Sequence, residues 1–173
     1  MTNRAGEVPR GEPLAYFLTW PTYGTWLPGD ERGWVKWHRG FQPPDAVKKL
    51  EAAARMAENA CRLDRDERRL VETAIVACCG VRGWALHAVN CRSNHVHVVV
   101  TARVDPDTVR EQLKAWCSRR LMEAAQNRGG SVSRDGSVRT NWWAERGSQR
   151  YLNDEDSLEA AILYVRDAQD TVP

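Results

Sequence analysis

Two β-rich runs, Trp84 to Cys91 and His95 to Ala102, stand either side of the short connection Arg92-Ser93-Asn94, and this arrangement constrains the chain more than any other feature. So brief a link suits an antiparallel hairpin, since a parallel crossover needs a dozen or more residues. Successive side chains on a strand point to opposite faces, so His95 and His97 project together while Val96, Val98 and Val100 turn the other way into a core. Same-side neighbours lie roughly 6 to 7 Å apart, close enough for two imidazoles to converge on one cation. Two ligands are fewer than the four of a closed structural zinc site, so such an ion keeps positions open for water or substrate oxygens.

The rest of the chain supplies layers around that hairpin. Leu14 to Trp20 is aromatic and β-favouring and is closed by Pro21, which predicts a first strand. TYGTWLPGDERGWVKWHRG mixes Gly24, Pro28, Gly29, Gly33 and Gly40 with Tyr23, Trp26, Trp34 and Trp37, and reads as a structured loop. Asp45 to Cys61 and Asp64 to Cys79 carry apolar residues at helical spacing, with Gly80 and Gly83 ending the second helix. A third helix starts near Asp105-Pro106-Asp107, sets Val109, Leu113, Trp116, Cys117, Leu121 and Ala124 on one stripe, and stops at Gly129-Gly130. Asp135-Gly136 is a hairpin signal before a strand-like WWAERGSQRYL. A last helix begins near Asn153-Asp154 with Leu158, Ile162 and Val165 on its apolar face. The order strand, helices, strand, strand, helix, strand, helix implies an α+β fold, an antiparallel sheet with helices packed on it in the split βαβ style.

With 173 residues the chain fits one domain, 1–173, with the Trp/Gly-rich loop and a helical insertion at about 21–80. It has no apolar run near the roughly 20 residues a membrane span needs. The polar start MTNRAGEVPRGEP lacks a signal-like apolar stretch, so no membrane partner and a cytoplasmic location are expected. Five cysteines without a Cys-x-x-Cys pair argue for buried thiols over a disulfide framework or zinc knuckle. A net charge of +2 alone does not indicate a polyanion partner, yet Arg and Lys cluster locally, first as Lys114, Arg119, Arg120 and Arg128 and then as Arg134, Arg139, Arg146 and Arg150.

NCRSNHVHVVV resembles the signature strand of the HUH endonucleases, whose His-hydrophobic-His is His95-Val96-His97 here, with Asn94 before it. FLTWPTYGTWLPGDERGWV and AAILYVRDAQ also resemble single-tyrosine HUH transposases, the group of insertion-sequence and REP-associated tyrosine transposases. The resemblance implies a ferredoxin-like (RRM-like) HUH fold and a tyrosine that attacks a phosphodiester of single-stranded or hairpin DNA, leaving a 5′-phosphotyrosine and a free 3′-hydroxyl. It implies a Mg²⁺ or Mn²⁺ ion on His95 and His97 that polarises the scissile phosphate. The family's nucleophile sits on a helix well after the histidines, which points to Tyr164, in a matching Tyr-Val context and off the apolar stripe of the last helix; Tyr151 is the alternative. A polar amide commonly follows the family's tyrosine by one turn, but that position is Ala168 here and Gln169 comes next. An ideal helix rotates Gln169 about 140° from Tyr164, so it joins His95 and His97 as a metal ligand only where the helix end loosens, with Asp167 the alternative. His87 on the partner strand is a further nearby histidine. Some relatives are dimers that exchange their tyrosine helices and others are monomers, which leaves a homodimer open.

Single strands bind to basic grooves with aromatic faces for stacking. Trp26, Trp34 and Trp37, and Trp142-Trp143 beside Arg139 and Arg146, are the stacking and phosphate candidates, with Arg110, Lys114 and Arg119 on the third helix. Two other readings remain: a non-catalytic HUH protein that binds nucleic-acid hairpins as a regulator, and a metal-dependent hydrolase in which water replaces the tyrosine.

Overall fold

The computed structural model of the chain describes residues 12–128 and 137–167. β1 (Ala15–Pro21) leads into a small hairpin of β2 (Trp34–Lys36) and β3 (Gly40–Gln42), a short helix α1 (Ala46–Ala54) and a long helix α2 (Arg65–Arg82). β4 (Ala85–Cys91) and β5 (His95–Thr101) follow, then α3 (Pro106–Arg128), β6 (Ser148–Leu152) and α4 (Glu155–Asp167). The main sheet runs β4-β5-β1-β6 and every pair in it is antiparallel. Setting aside the β2–β3 hairpin and α1, this is the β-α-β-β-α-β order of a ferredoxin-like unit, with α4 added.

Side-chain alternation divides the sheet cleanly. Leu18 and Trp20 of β1 and Val96, Val98 and Val100 of β5 bury one face, sharing a core with Val71, Ile75 and Cys78 of α2 and Val109, Leu113, Cys117 and Leu121 of α3. The other face offers Ala15 and Phe17, Ala88, Val99 and Leu152, and there α4 lays down Leu158, Ala161, Ile162 and Val165. His95 and His97 have the parity of Val99, so they lie on the α4 face. The helix starts hold for local reasons: Asp64 and Glu67 form a reciprocal capping box on α2, and Asp154 accepts from the Ser157 amide at 2.7 Å at the start of α4.

Several boundaries depart from the sequence expectation. The glycine-rich loop contains the β2–β3 hairpin, and α1 ends at Ala54. Beyond α1 the chain is irregular, with the Cys61 amide donating to Tyr23 O and the Leu63 amide to Ser93 O. α2 continues through Gly80 and is capped by Gly83 at φ 67°. α2 packs in the central core with α3. Ala125, more than Ala124, continues the buried stripe of α3. Trp142 and Trp143 precede β6 and sit in irregular chain, joined to the end of β1 and the residues after it by the Thr22↔Trp143 bridge and by the Ala144 amide donating to Pro21 O. The Gly129-Gly130 stop and the Asp135-Gly136 turn lie outside the described residues, as do Ala168 and Gln169.

Candidate active site

The register of the sheet assembles the site. His97 lies opposite Thr19 of β1, and His95 opposite Pro21. Their rings are 4.6 Å apart, centroid to centroid, at 77°. Thr19 Oγ1 is 2.7 Å from His97 Nδ1, and Asn94 Oδ1 is 2.6 Å from His95 Nδ1. An amide oxygen only accepts, so His95 carries its proton on Nδ1 and presents the Nε2 lone pair; Thr19 anchors His97 through the same nitrogen. Phe17, two residues before Thr19 on the same face, stacks on His97 at 5.6 Å and 29°.

α4 brings the third group. Ala161 and Val165 are buried, and Tyr164, between them on the helix, is 46% exposed, with its ring 5.8 Å from His97 and 6.0 Å from Phe17, edge-on to both. Asn90 of β4, in register with His97, donates from Nδ2 to Val165 O at 3.1 Å and ties the last turn of α4 to the sheet. A cleft of about 280 Å³ results, lined by Thr19, Thr25, Trp26, Arg32, Asn94, His95, His97 and Tyr164, with Pro21 at its wall.

Both imidazoles are held neutral. Burial, reinforced by His95 and Arg92, lowers the pKa of His97 to about 4; burial, with Arg92 and Arg32, also lowers that of His95. Neutral imidazoles with one nitrogen anchored by a neighbour are what a divalent cation requires of its ligands, so these residues fit a metal ion. Among the described residues no cluster of three or more His, Cys, Asp and Glu side chains completes such a site. Asp167 is exposed in the last turn of α4, and Gln169 falls outside the described residues.

Sequence reasoning overlooked some of these groups. Arg32 Nε donates to buried Asp30 at 2.7 Å, an interaction that holds the Asp30 pKa down to about 2; Arg32 Nη2 also reaches Thr25 O at 2.9 Å, and its guanidinium lies 5.0 Å over the Trp26 ring. This fixes a cation at the cleft wall. Thr19, Phe17 and Asn90 gave no motif of their own; only the register reveals them. Gly147 is required by close approach, because a Cβ there would lie 2.4 Å from Thr19 O.

Other candidates fall elsewhere. Tyr151 lies opposite Tyr16 on the α2/α3 face, 5.6 Å ring to ring, so the sheet separates it from the histidines. His87 sits at a β-bulge and contacts Thr101 Oγ1 at the far end of β5. Arg110 and Lys114 are buried and bind the chain before and within β6: Arg110 Nη1 donates to Gln149 Oε1, and Lys114 Nζ to Ala144 O and Glu145 O. Arg139 is buried against Glu58, Asn59 O and Asn141 O. Trp142 is buried in the core, and Trp143, half-buried, donates to Lys114 O and Ser118 Oγ. These five side chains are buried or half-buried and packed or bonded within the fold. Arg119 lies over Trp116 on α3, across the sheet from the cleft. Trp34 donates to Pro43 O under Lys48, whereas Trp26 lines the cleft and Arg146 stays exposed.

The fold and the site together define a ferredoxin-like α+β protein with two histidines and one tyrosine in a single cleft. No family model matches the chain, and no curated protein does. Among solved structures, one of a REP-associated tyrosine transposase bound to a REP hairpin is similar over 93% of this chain and 70% of that one, at 12% identity and a TM-score of 0.50. Another, of a candidate transposase from Deinococcus radiodurans R1, covers 95% of each chain at 15% identity and a TM-score of 0.45. The chain has the fold of a REP-associated tyrosine transposase. No helix among the described residues is long and apolar enough to cross a membrane.

Proposed function

We propose that this chain is a metal-dependent nicking and rejoining enzyme for single-stranded DNA at or near hairpins, a transposase-type strand transferase with Tyr164 as its nucleophile. The observation that carries this reading is the meeting of Tyr164, delivered by α4, with the His95–His97 pair of β5 in one cleft, the rings of Tyr164 and His97 5.8 Å apart. The relative bound to a REP hairpin supports a DNA partner.

In this mechanism Tyr164 Oη attacks the phosphorus of a phosphodiester, the P–O3′ bond breaks, the upstream strand leaves with its 3′-oxygen, and the downstream strand stays on the enzyme through its 5′-phosphate as a phosphotyrosine. The departing 3′-oxygen takes up a proton as the phenolic proton passes to solvent, which reaches Tyr164 on its exposed side. A later attack by a DNA 3′-hydroxyl reverses the step and reseals the strand without ATP. Mg²⁺ or Mn²⁺ bound by His95 and His97 would balance charge on the phosphate oxygens. Thr19 and Asn94 orient the two imidazoles, Asn90 holds the helix that carries the nucleophile, and Arg32 offers a fixed cation to the phosphate.

The test uses labelled hairpin DNAs with single-stranded flanks, Mg²⁺ or Mn²⁺, and a denaturing gel. A covalent protein–DNA band is expected from the wild type and absent from Tyr164→Phe and His95→Ala. Hairpin binding without any adduct would instead favour the regulatory reading.

A further inference from the structure

The β2–β3 hairpin carries a face that the reaction as described leaves unused. Val35, Trp37 and Phe41 are exposed by 71%, 65% and 69%, while Trp34 and Lys48 meet on its other side. Large apolar groups clustered in water mark a contact surface. The hairpin is also anchored at both ends to the neighbourhood of the cleft. At its base, Phe41 covers Gly33, where a Cβ would come within 2.1 Å of the ring; Gly33 O in turn accepts from Trp26 Nε1 at 2.8 Å, and Trp26 is a cleft wall. At its tip, the Arg146 guanidinium lies 4.0 Å over the Trp37 ring, and Arg146 stands two residues before Ser148, the partner of Thr19. Farther along β6, Arg150 lies 5.4 Å over Phe17, whose ring also contacts Tyr164.

Charge decides what such a face receives. From Gly33 to Pro44 the sequence has Lys36, His38 and Arg39 and no Asp or Glu. Among the described residues neither Arg146 nor Arg150 pairs with a carboxylate. Exposed rings beside Arg146 and Arg150, cations without a carboxylate partner among the described residues, complement a polyanion with π-faces, which is single-stranded nucleic acid.

We infer that this rim binds the single-stranded nucleotides flanking the reacting phosphate, with bases stacked on Trp37 and Phe41 and phosphates paired with Arg146 and Arg150. The inference rests on the reading of the cleft as a DNA-processing site and adds where the flank runs.

Fluorescence anisotropy with a labelled oligothymidylate of about a dozen nucleotides, which forms no hairpin, reads the rim directly. Trp37→Ala and Phe41→Ala are each expected to weaken binding by on the order of tenfold, while Trp37→Phe retains most of the affinity. Arg146→Ala is expected to weaken binding and flatten its salt dependence. These side chains lie outside the core, and unchanged thermal melts by circular dichroism would show the variants folded. Equal affinity of Trp37→Ala and wild type for the oligothymidylate overturns the inference, as does a wild type that does not bind it. A concentration-dependent dimer that Trp37→Ala dissolves also overturns it, marking the face as a contact between copies. The covalent-adduct gel, run on the same wild-type preparation, separates the two claims: Trp37-dependent binding without an adduct upholds the rim and sinks the catalytic reading, and an adduct with Trp37-independent binding does the reverse.

Discussion

His97 is the most constrained group of the cleft, 8% exposed, anchored by Thr19 and stacked on Phe17. Its folded pKa of about 4 lies below the ordinary 6.5, so as pH falls the unfolded chain takes up the proton first. The folded state therefore loses stability relative to the unfolded one from about pH 6.5 down to about pH 4, and is unaffected by this group above that window. Thermal melts across the window should fall more steeply for wild type than for His97→Gln; parallel slopes would show that His97 is not held neutral. Glu58 sets a different constraint. Burial alone would raise its pKa, but hydrogen bonds from Thr140 and Asn141 outweigh that and lower it. Glu58 also faces buried Arg139 at 3.2 Å, so Glu58→Ala strands a buried cation and should cost about 3–5 kcal/mol in urea denaturation. An exposed, DNA-binding Arg139 would lose far less.

Two elements, β5 and α4, make the site, and they were legible to different degrees. The alternation in His95-Val96-His97-Val98 gives the strand, its partner and the face of each histidine, because a period of two leaves no other choice. The stripe Leu158, Ile162, Val165 likewise puts Tyr164 off the buried line. That α4 crosses the open face of the sheet is a tertiary fact with no local signal, and it sets Tyr164 beside His97 while Tyr151 lies opposite Tyr16 on the other face. The burial of Arg110 and Lys114 is not legible in the sequence for a related reason. Arg110 and Lys114 sit off the apolar stripe of α3, which suggests solvent, but β6 and the chain before it fold over them. The placement of α4 depends on Asn90, whose side chain holds Val165 O beside a packed apolar face. Asn90→Ala is expected to speed amide exchange in the last turn of α4 and to slow adduct formation, with a melting temperature near that of wild type; exchange confined to its wild-type pattern would remove Asn90 from this role.

At the scale of the whole molecule, the sheet divides the larger core from the cleft. Its α2/α3 face holds the larger core, including Cys61, Cys78, Cys79, Cys91 and Cys117, and burial raises every one of these thiols, Cys61 to about 11 and Cys79 to about 12. The folded protein should therefore react slowly with a thiol reagent at pH 8, and all five cysteines should react once denaturant is added; a fast thiol in the native state would contradict this packing. The α4 face holds His95, His97 and Tyr164 in a cleft open to solvent, bordered by Trp26 and Arg32. The chemistry proposed for that face is tested most directly by locating the covalent bond. After reaction with hairpin DNA and Mn²⁺, nuclease trimming and tandem mass spectrometry should find the nucleotide phosphate on the peptide carrying Tyr164. Modification at Tyr151, Tyr16 or Tyr23, or no modified tyrosine in protein that binds the DNA, would contradict the account.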